Sequence, residues 1–559
     1  MLTRKELLKS LILAGAASAA PLSLGQGETQ KPDPNEITAD DLKAFEKVAG
    51  ITFTDDERKQ ILGTVRTGKR GFDAVRKLPI DYTTEPRTVF TPIGGGSEAN
   101  AKVEARPTGV GKLDLKKMSD EDIAFLSVRE LGSLIRSKQL LPVRLTDIYL
   151  SRLKQYGGDK LLCVVNMTED RARRAAVQAE KEINDGHYKG PLHGIPYGIK
   201  DLFAVKGYPT TWGANTFEHQ VFDYDATVVQ KLDAAGAILC AKLSMGALAQ
   251  GDLWFKGRTK NPFNPAQGSS GSSAGSACAT AAGLVAFGIG TETLGSVVSP
   301  STRCRITGLR PTYGRVSRHG GMALSYTMDK VGALCRQAED CALVLAAICG
   351  TDPLDASAVS KPFIWPARID PKKLKVGYTV PANADLKDLS GIDKDPALAA
   401  LKKLGAQLQP VRFTPTPDGV LNILNVESSS AFDAFTLGEQ VRQLTGSTWP
   451  QTFRAARYVP APEYIQMQRA RAMMMDTFEK EMADFDAVVS VGTSGQLLLI
   501  TNLTGTPQIA LPWGADASNN SLSRVITGRN YQEAKLCAIA KLVQDSAEYH
   551  HLRPDLSKV

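Results

Sequence analysis

The chain has 559 residues, of which 43% are hydrophobic, 23% charged and 7% aromatic. This ordinary globular composition provides for a sizeable core and excludes a largely disordered, collagen-like or coiled-coil protein. The net charge is +8, but the charges are scattered without a block of one sign, which points away from a nucleic-acid groove.

The N-terminus reads as an address. Arg4, Lys5 and Lys9 precede an apolar, small-residue run from Leu11 to Ala20, with Ala17-Ser18-Ala19 as a signal-peptidase site. Residues 1–19 are therefore expected to be an export signal, and the mature protein to be periplasmic. The stretch Thr3-Arg4-Lys5-Glu6-Leu7-Leu8-Lys9 also resembles a twin-arginine signal with Lys for the second Arg. The alternatives are an ordinary Sec signal or an uncleaved anchor. No later apolar run approaches the roughly 20 residues needed to cross a bilayer, so no membrane association is expected after cleavage.

Residues 20–36, rich in Pro, Gly and Gln, read as a flexible lead-in. Residues 37–83 read as a small helical unit, in which Thr38 caps a helix over 39–48 and Thr54, followed by Asp55, Asp56 and Glu57, caps a second to about Arg70. Pro86, Pro92, Pro107 and Gly94-Gly95-Gly96 mark 84–119 as an irregular linker. The unit from 120 to 559 opens with helical patterns at about 121–138, 144–156 and 168–185. Beyond them short apolar strands alternate with helices: a helix over 227–235 leads into a strand at 238–241, 374–378 and 487–491 read as strands, and 463–485 as a long helix. That alternation predicts an α/β fold with a large mixed, mostly parallel sheet covered by helices on both faces.

Eight cysteines, at 163, 240, 278, 304, 335, 341, 349 and 537, form no C-x-x-C pair and lie mostly in apolar stretches, which predicts buried thiols. An oxidising compartment would permit disulfides, and Cys335, Cys341 and Cys349 are near enough in sequence to compete for pairing. The six histidines show no ligand spacing, so neither a metal nor another cofactor is expected.

The most unusual composition is Gly268-Ser269-Ser270-Gly271-Ser272-Ser273-Ala274-Gly275-Ser276 ahead of an Ala-rich run to Leu284. Gly and Ser expose backbone N–H groups, and a helix starting behind them favours an anion at its N-terminus. A second Gly-punctuated turn follows, Gly288-Ile289-Gly290-Thr291-Glu292-Thr293-Leu294-Gly295-Ser296. Gly271-Ser272-Ser273-Ala274-Gly275 fits the G-x-S-x-G nucleophile elbow, with Ser273 as nucleophile. An elbow needs a buried strand immediately before it, whereas Asn261-Pro262-Phe263-Asn264-Pro265 reads as turn, and neither His319, His550 nor His551 has a convincing setting as base.

A second reading needs no histidine. The block Gly190-Pro191-Leu192-His193-Gly194-Ile195-Pro196-Tyr197-Gly198-Ile199-Lys200-Asp201, the Gly/Ser loop and Gly290-Thr291-Glu292-Thr293-Leu294-Gly295-Ser296 together resemble the amidase signature family. The resemblance continues through Gly308-Leu309-Arg310-Pro311-Thr312-Tyr313-Gly314, Tyr326-Thr327-Met328-Asp329-Lys330-Val331-Gly332 and Asn502-Leu503-Thr504-Gly505-Thr506-Pro507, and covers about 120–545. It implies a Ser-cisSer-Lys triad, with Lys200 as base, Ser272 as proton relay after a cis peptide, and Ser296 as nucleophile. The backbone N–H groups of Thr293, Leu294, Gly295 and Ser296 would form the oxyanion hole, with Ser273, Thr291 and Asp329 supporting the loops. A lysine can be a base near neutrality only where burial lowers its pKa, which apolar neighbours such as Ile195, Pro196 and Ile199 would bring about.

This chain departs from the family in three places. The usual D-x-G-G-S is Glu292-Thr293-Leu294-Gly295-Ser296, the Arg two residues after the nucleophile is Val298, and the Gly-Gly before the relay serine is Ser270-Gly271. A loop that required positive φ at 294 would strain the leucine. The helical unit from Ile37 to Arg58 is also similar to the small C subunit that wraps the amidase subunit of tRNA-dependent amidotransferases, which suggests a fused brace.

The expected activity is thus an exported serine amidohydrolase acting on a small-molecule amide, without cofactor or nucleic-acid partner. The alternatives are a catalytically weak binder on the same fold and an amidotransferase-like glutaminase subunit. The region 432–475, with Phe432, Trp449, Tyr458, Tyr464 and Met473 to Met475, is the expected apolar lining of the substrate pocket, although methionines at helical spacing such as Met473 to Met475 more often belong to a core.

Overall fold

A computed structural model describes residues 36–79 and 90–559, apart from 382, 384, 388, 390 and 494. The export signal and nearly all of the lead-in, together with the part of the linker around Pro86, lie outside the described residues. No described helix is long and apolar enough to cross a membrane.

Eleven strands form one sheet: β1 (Val164–Met167), β2 (Pro196–Lys200), β3 (Ile238–Leu243), β4 (Phe287–Glu292), β5 (Thr307–Arg310), β6 (Lys330–Cys335), β7 (Lys375–Thr379), β8 (Gln407–Val411), β9 (Ala487–Val491), β10 (Gln508–Ala515) and β11 (Ser521–Gly528). Their spatial order is β8-β7-β9-β11-β10-β5-β6-β4-β2-β3-β1. The α/β class and the large mixed sheet are as expected. The sheet is not mostly parallel, however: six of its ten neighbouring pairs are antiparallel. The reason lies in the connections. β5 and β6 are joined by loop rather than by a crossover helix, and β10 turns into β11 at Asp516–Asn520, where the Asp516 N–H donates to Asn520 O at 3.0 Å. Parallel neighbours need the long crossover that the helix Thr227–Ala234 supplies between β2 and β3.

β2 is buried at all five positions and β4 at five of six, consistent with strands covered on both faces. Their parallel register pairs Tyr197 with Phe287 and Ile199 with Ile289, and the first pair stacks its rings at 5.3 Å. The C-terminal ends of the two strands therefore lie side by side. The helix Ala274–Ala281 crosses close behind β4, and a Cβ on Gly290 would fall 2.5 Å from Ser273 Oγ. Only glycine admits that approach.

The predicted helix over 121–138 is two helices, Asp120–Ala124 and Val128–Arg136, because Ser127 forms a capping box with Glu130 and starts a new one. The Val128 and Arg129 N–H groups both donate to Asp340 at 3.1 Å, which fixes the break.

In the N-terminal unit, Thr38 with Asp41 and Thr54 with Glu57 form capping boxes on helices Ala39–Ala49 and Asp55–Arg76. The second helix runs beyond Arg70 because Phe72 and Val75 join the main core. Glu46 accepts from Arg58 Nε at 2.9 Å and Nη2 at 2.7 Å, and from the Tyr458 hydroxyl at 2.5 Å. Leu42, Ile51, Phe53 and Ile61 pack with Ala455 and Tyr458. The unit thereby lies on helices Trp449–Ala456 and Ala461–Met482, to which Arg76 adds an ion pair with Glu463 at 2.5 Å.

All eight cysteines are free thiols, seven of them buried. The competition among Cys335, Cys341 and Cys349 for a disulfide is therefore not realised. Cys335 ends β6, whereas Cys341 lies within the helix Ala338–Ile348 with its sulfhydryl on the Thr307 and Ala333 carbonyls, and Cys349 caps that helix with its sulfhydryl on Ala346 O.

Candidate active site

Lys200 ends β2 with no solvent exposure. Its Nζ donates to Ser272 Oγ at 2.7 Å, Thr291 Oγ1 at 2.9 Å and Thr291 O at 3.4 Å. Among the described residues no carboxylate lies within ion-pair distance of it. Burial pushes its pKa down to about 7, against the weaker opposing pull of the Asp329 and Glu292 charges. A second buried lysine, Lys242, differs in kind: it pairs with Asp201 at 2.8 Å. Asp201 also accepts from the Thr211 N–H at 2.9 Å and from the Thr211 hydroxyl, which pins the chain directly after Lys200.

Ser272 follows a cis peptide bond to Gly271, is 1% exposed, and meets Lys200 from the loop ahead of the helix Ala274–Ala281. Ser273 is committed elsewhere. Its hydroxyl donates to Thr291 O at 3.0 Å and accepts from Thr291 N at 3.1 Å, stitching the Gly/Ser loop to the end of β4. Those two hydrogen bonds to backbone, with no side-chain base hydrogen-bonded to Ser273 among the described residues, leave the elbow reading of Ser273 without support.

Ser296 is 8% exposed, and its hydroxyl has no hydrogen-bond partner among the described residues. Its carbonyl accepts from the Ser273 N–H at 3.2 Å, which brings the two serine-bearing loops together. The backbone N–H groups of Thr293, Leu294, Gly295 and Ser296 likewise have no acceptor among the described residues. Four successive N–H groups without an acceptor, beside an unpaired hydroxyl, leave the donors that an oxyanion hole would need. The Thr293 hydroxyl donates to Asp329 at 2.5 Å, and Asp329 in turn accepts from the Leu324 and Ser325 N–H groups at 2.8 and 3.0 Å.

The three departures have structural explanations. Positive φ falls on Gly295, at +86°, and not on Leu294, so the leucine is unstrained. Glu292 is fully buried and reaches both ways: Oε2 accepts from the Val297 and Val298 N–H groups at 2.8 and 2.9 Å, and Oε1 from Arg310 at 2.6 Å and Asn502 at 2.8 Å. Burial alone would raise its pKa, but the charges of Arg310 and Lys330 and the loop N–H groups hold it at about 2. Val298 packs in an apolar cluster with Ala510 and Val525. The Glu292 carboxylate is thus balanced by Arg310 from β5 rather than by a residue two positions after Ser296. Ser270, at φ +61°, is held by its N–H to Asp252 at 2.9 Å.

A cavity of about 280 Å³ reaches Thr291, Thr293 and Asp329, with Phe203, Met322 and Tyr326 on its wall. Lys200, Ser272 and Ser296 are not themselves on that wall. It adjoins a wider chamber of about 590 Å³, lined by Trp212, Phe217, Phe222, Tyr224, Phe432 and Phe435 among others. Of the expected lining over 432–475 only the part at Phe432–Phe435 and Gln440 reaches this chamber. Trp449 stacks on Phe453 at 5.2 Å, the Tyr458 hydroxyl goes to Glu46, the Tyr464 hydroxyl goes to Glu427 at 3.0 Å, and Met475 packs with Phe90 and Tyr313. Met473 and Met474 line a separate cavity of about 120 Å³. The wall residues at 212–224 and 320–326 were not foreseen; the one available signal was the density of aromatic residues between Trp212 and Tyr224.

Comparison with known proteins agrees with this geometry. The Amidase family matches residues 144–496. A glutamyl-tRNA(Gln) amidotransferase subunit from Anaeromyxobacter dehalogenans is 30% identical over 477 residues, 76% of this chain and 96% of the relative. An amidase family protein from Bacillus anthracis superposes with a TM-score of 0.69 at 25% identity, covering 79% of this chain and 95% of that one. Native peptide amidase from Stenotrophomonas maltophilia gives a TM-score of 0.65 at 25% identity, over 75% and 96% of the two chains. With the family match spanning more than half of its residues and a 30% identical relative matched over 96% of that relative's length, the chain belongs to the amidase family.

Proposed function

We propose that the protein is an exported serine amidohydrolase that converts a carboxamide to a carboxylate and ammonia or an amine. The observation that carries this reading is the contact of Lys200 Nζ with Ser272 Oγ at 2.7 Å in a fully buried setting, with the lysine pKa brought to about 7. Neutral Lys200 takes the Ser272 proton as Ser272 takes that of Ser296, and Ser296 Oγ attacks the carbonyl carbon. The N–H groups from Thr293 to Ser296 hold the oxyanion. The proton returns through Ser272 to the leaving nitrogen, the C–N bond breaks, and water repeats the sequence on the acyl-enzyme to release the acid and restore Ser296.

The test is mass spectrometry of the protein after reaction with a fluorophosphonate. The expected result is one adduct on Ser296, absent in Ser296→Ala and formed at least about a hundredfold more slowly in Lys200→Ala. A protein that takes no label at neutral or alkaline pH would instead be a binder on the amidase fold. Sequencing the N-terminus of the mature protein tests export: an intact Met1 in a cytosolic fraction would remove that part of the proposal.

A second reading is a glutaminase component of an amidotransferase, favoured by the 30% identity to the Anaeromyxobacter protein. It requires ammonia to be handed to an acyl acceptor by a partner. Release of free ammonia or amine by the isolated chain at full rate, unaffected by any acceptor, would decide against it.

A further inference from the structure

Two chambers meet in front of the nucleophile loop. Both are bounded by Leu202, Gly320, Met322 and Tyr326, so the inner cavity of about 280 Å³ opens into the outer one of about 590 Å³. The outer wall is a connected set of rings. Trp212 lies 4.7 Å from Phe217 and 6.1 Å, edge-on, from Phe432; Phe217 lies 5.2 Å from Phe435; and Phe222 lies 5.5 Å from Tyr224. Among the described residues no Asp, Glu, Lys or Arg lines this chamber, and its amide-bearing residues are Gln220 and Gln440.

The inner chamber has charged residues, but each is already engaged. Arg318 donates to Tyr326 O at 2.7 Å and Ser357 Oγ at 2.9 Å, and lies beside Asp355 at 3.5 Å. Asp355 accepts from the Arg318 and Ser357 N–H groups at 2.7 and 3.0 Å, Asp329 is held by the nucleophile loop as described, and Lys330 donates to Met328 O. A charged substrate group would be desolvated there without a counter-charge to meet it.

The wall is built at a cost in backbone strain. Trp212, Leu248 and Ala249 have φ of +52°, +50° and +63°, uncommon for residues with a Cβ, and the Leu248 N–H donates to Trp212 O at 2.9 Å. Trp212 directly follows Thr211, which is bound to Asp201, the residue after Lys200. The first ring of the chamber is thereby tied to the strand that delivers the lysine. Strain of this kind persists where the surrounding structure over-determines it, typically at binding sites.

We propose that the substrate is an uncharged amide bearing an aromatic ring, with the ring in the outer chamber and the amide at the Thr291–Thr293 end of the inner one, the end nearest Ser296 in the chain. The ring–ring contacts of the wall set its preference for flat apolar groups over aliphatic or charged ones. This deepens the amidohydrolase reading and takes its scissile bond from it, but ring binding does not depend on catalysis.

The test compares kcat/KM for phenylbutanamide, butanamide and glutamine, and measures binding of phenylbutanamide to Ser296→Ala by calorimetry. The expectation is a preference of roughly tenfold or more for phenylbutanamide over butanamide, little or no turnover of glutamine, and loss of most of that preference in both Phe217→Ala and Phe435→Ala. Fluorophosphonate labelling of Ser296 in each variant checks that the centre is folded. Equal rates on the two neutral amides, or a preference for glutamine, with Ser296 still labelled, would overturn the aromatic assignment and leave the catalytic reading standing. If Ser296 takes no label in the parent protein, the catalytic reading falls, and calorimetry alone decides the chamber: tight binding of phenylbutanamide over butanamide supports it, and equal or absent binding overturns it.

Discussion

In the proposed mechanism Lys200 is the base, and its burial has opposite consequences for activity and stability. With its pKa brought from 10.5 to about 7, kcat/KM should rise through an apparent pKa near 7 and level off above it as the neutral amine forms. For stability, the unfolded chain holds a proton on this lysine up to about 10.5 while the folded chain releases it near 7. The unfolded state therefore binds more protons between those values, and stability gains from this site as pH rises across them; below 7 the cost of a buried charge is felt in full. Lys200→Met should thus abolish turnover and raise the unfolding midpoint more at pH 6 than at pH 9, measured by urea denaturation. Thr291 accepts from the lysine at 2.9 Å and favours its charged form. Thr291→Val should lower the apparent pKa of the rate profile and reduce kcat about tenfold, with Thr291→Ser close to the parent; an unmoved pKa would make Thr291 merely structural.

At the scale of elements, the loop that carries Ser296 is held to the sheet by two carboxylates, Asp329 through the Thr293 hydroxyl and Glu292 through two backbone N–H groups. Glu292 ends β4, grips two N–H groups just past Ser296 and pairs with Arg310 on β5, all without solvent exposure. Glu292→Ala leaves Arg310 uncompensated, and removing one member of such a pair costs about 3–5 kcal/mol, readable as a lower urea midpoint. The pH dependence follows from its depressed pKa of about 2. The stabilisation is present above the ordinary 4.5 and is lost as pH falls towards 2, so Glu292→Gln, although less stable at pH 7, should flatten the acid limb of the stability profile. Gly290 marks where helix and strand touch. A methyl group there would stand 2.5 Å from Ser273 Oγ, and Gly290→Ala should cost about 1–3 kcal/mol and slow Ser296 labelling by parting the two loops.

Across the whole molecule, the N-terminal helices form a brace on the Trp449–Ala456 and Ala461–Met482 helices. The contact is centred on Glu46, Arg58 and Tyr458, with an apolar cluster around it. None of residues 39–76 lines either chamber before the nucleophile loop. Arg58→Met, which leaves the Glu46 carboxylate buried without its cation, should therefore loosen the brace, seen as faster limited proteolysis within 39–76, while the rate of Ser296 labelling stays unchanged. A matching fall in labelling would show that the brace also holds the active centre.

Much of the local chemistry was legible in the chain itself. The N-caps at Thr38 and Thr54, the strands at 238–241, 374–378 and 487–491 and the two serine-bearing turns announce themselves through short-range propensity, because a cap, a turn or a buried strand is decided within a few residues. The break at Ser127 was open to the same reasoning through its capping box with Glu130. What depended on contacts between distant segments was not legible. Lys200 meets Ser272 and Thr291 only because β2 and β4 are parallel neighbours, and Arg310 meets Glu292 only because β5 and β6 return antiparallel without a crossover helix. The aromatic chamber draws its walls from 202–224, 320–326 and 431–440, and the apolar residues further along 449–475 went to other cores. The sequence determined which groups are present and how each local element begins and ends. The tertiary structure decided which of those groups meet, since a hydrogen bond across 72 or 91 residues is set by the path of the whole chain through the sheet.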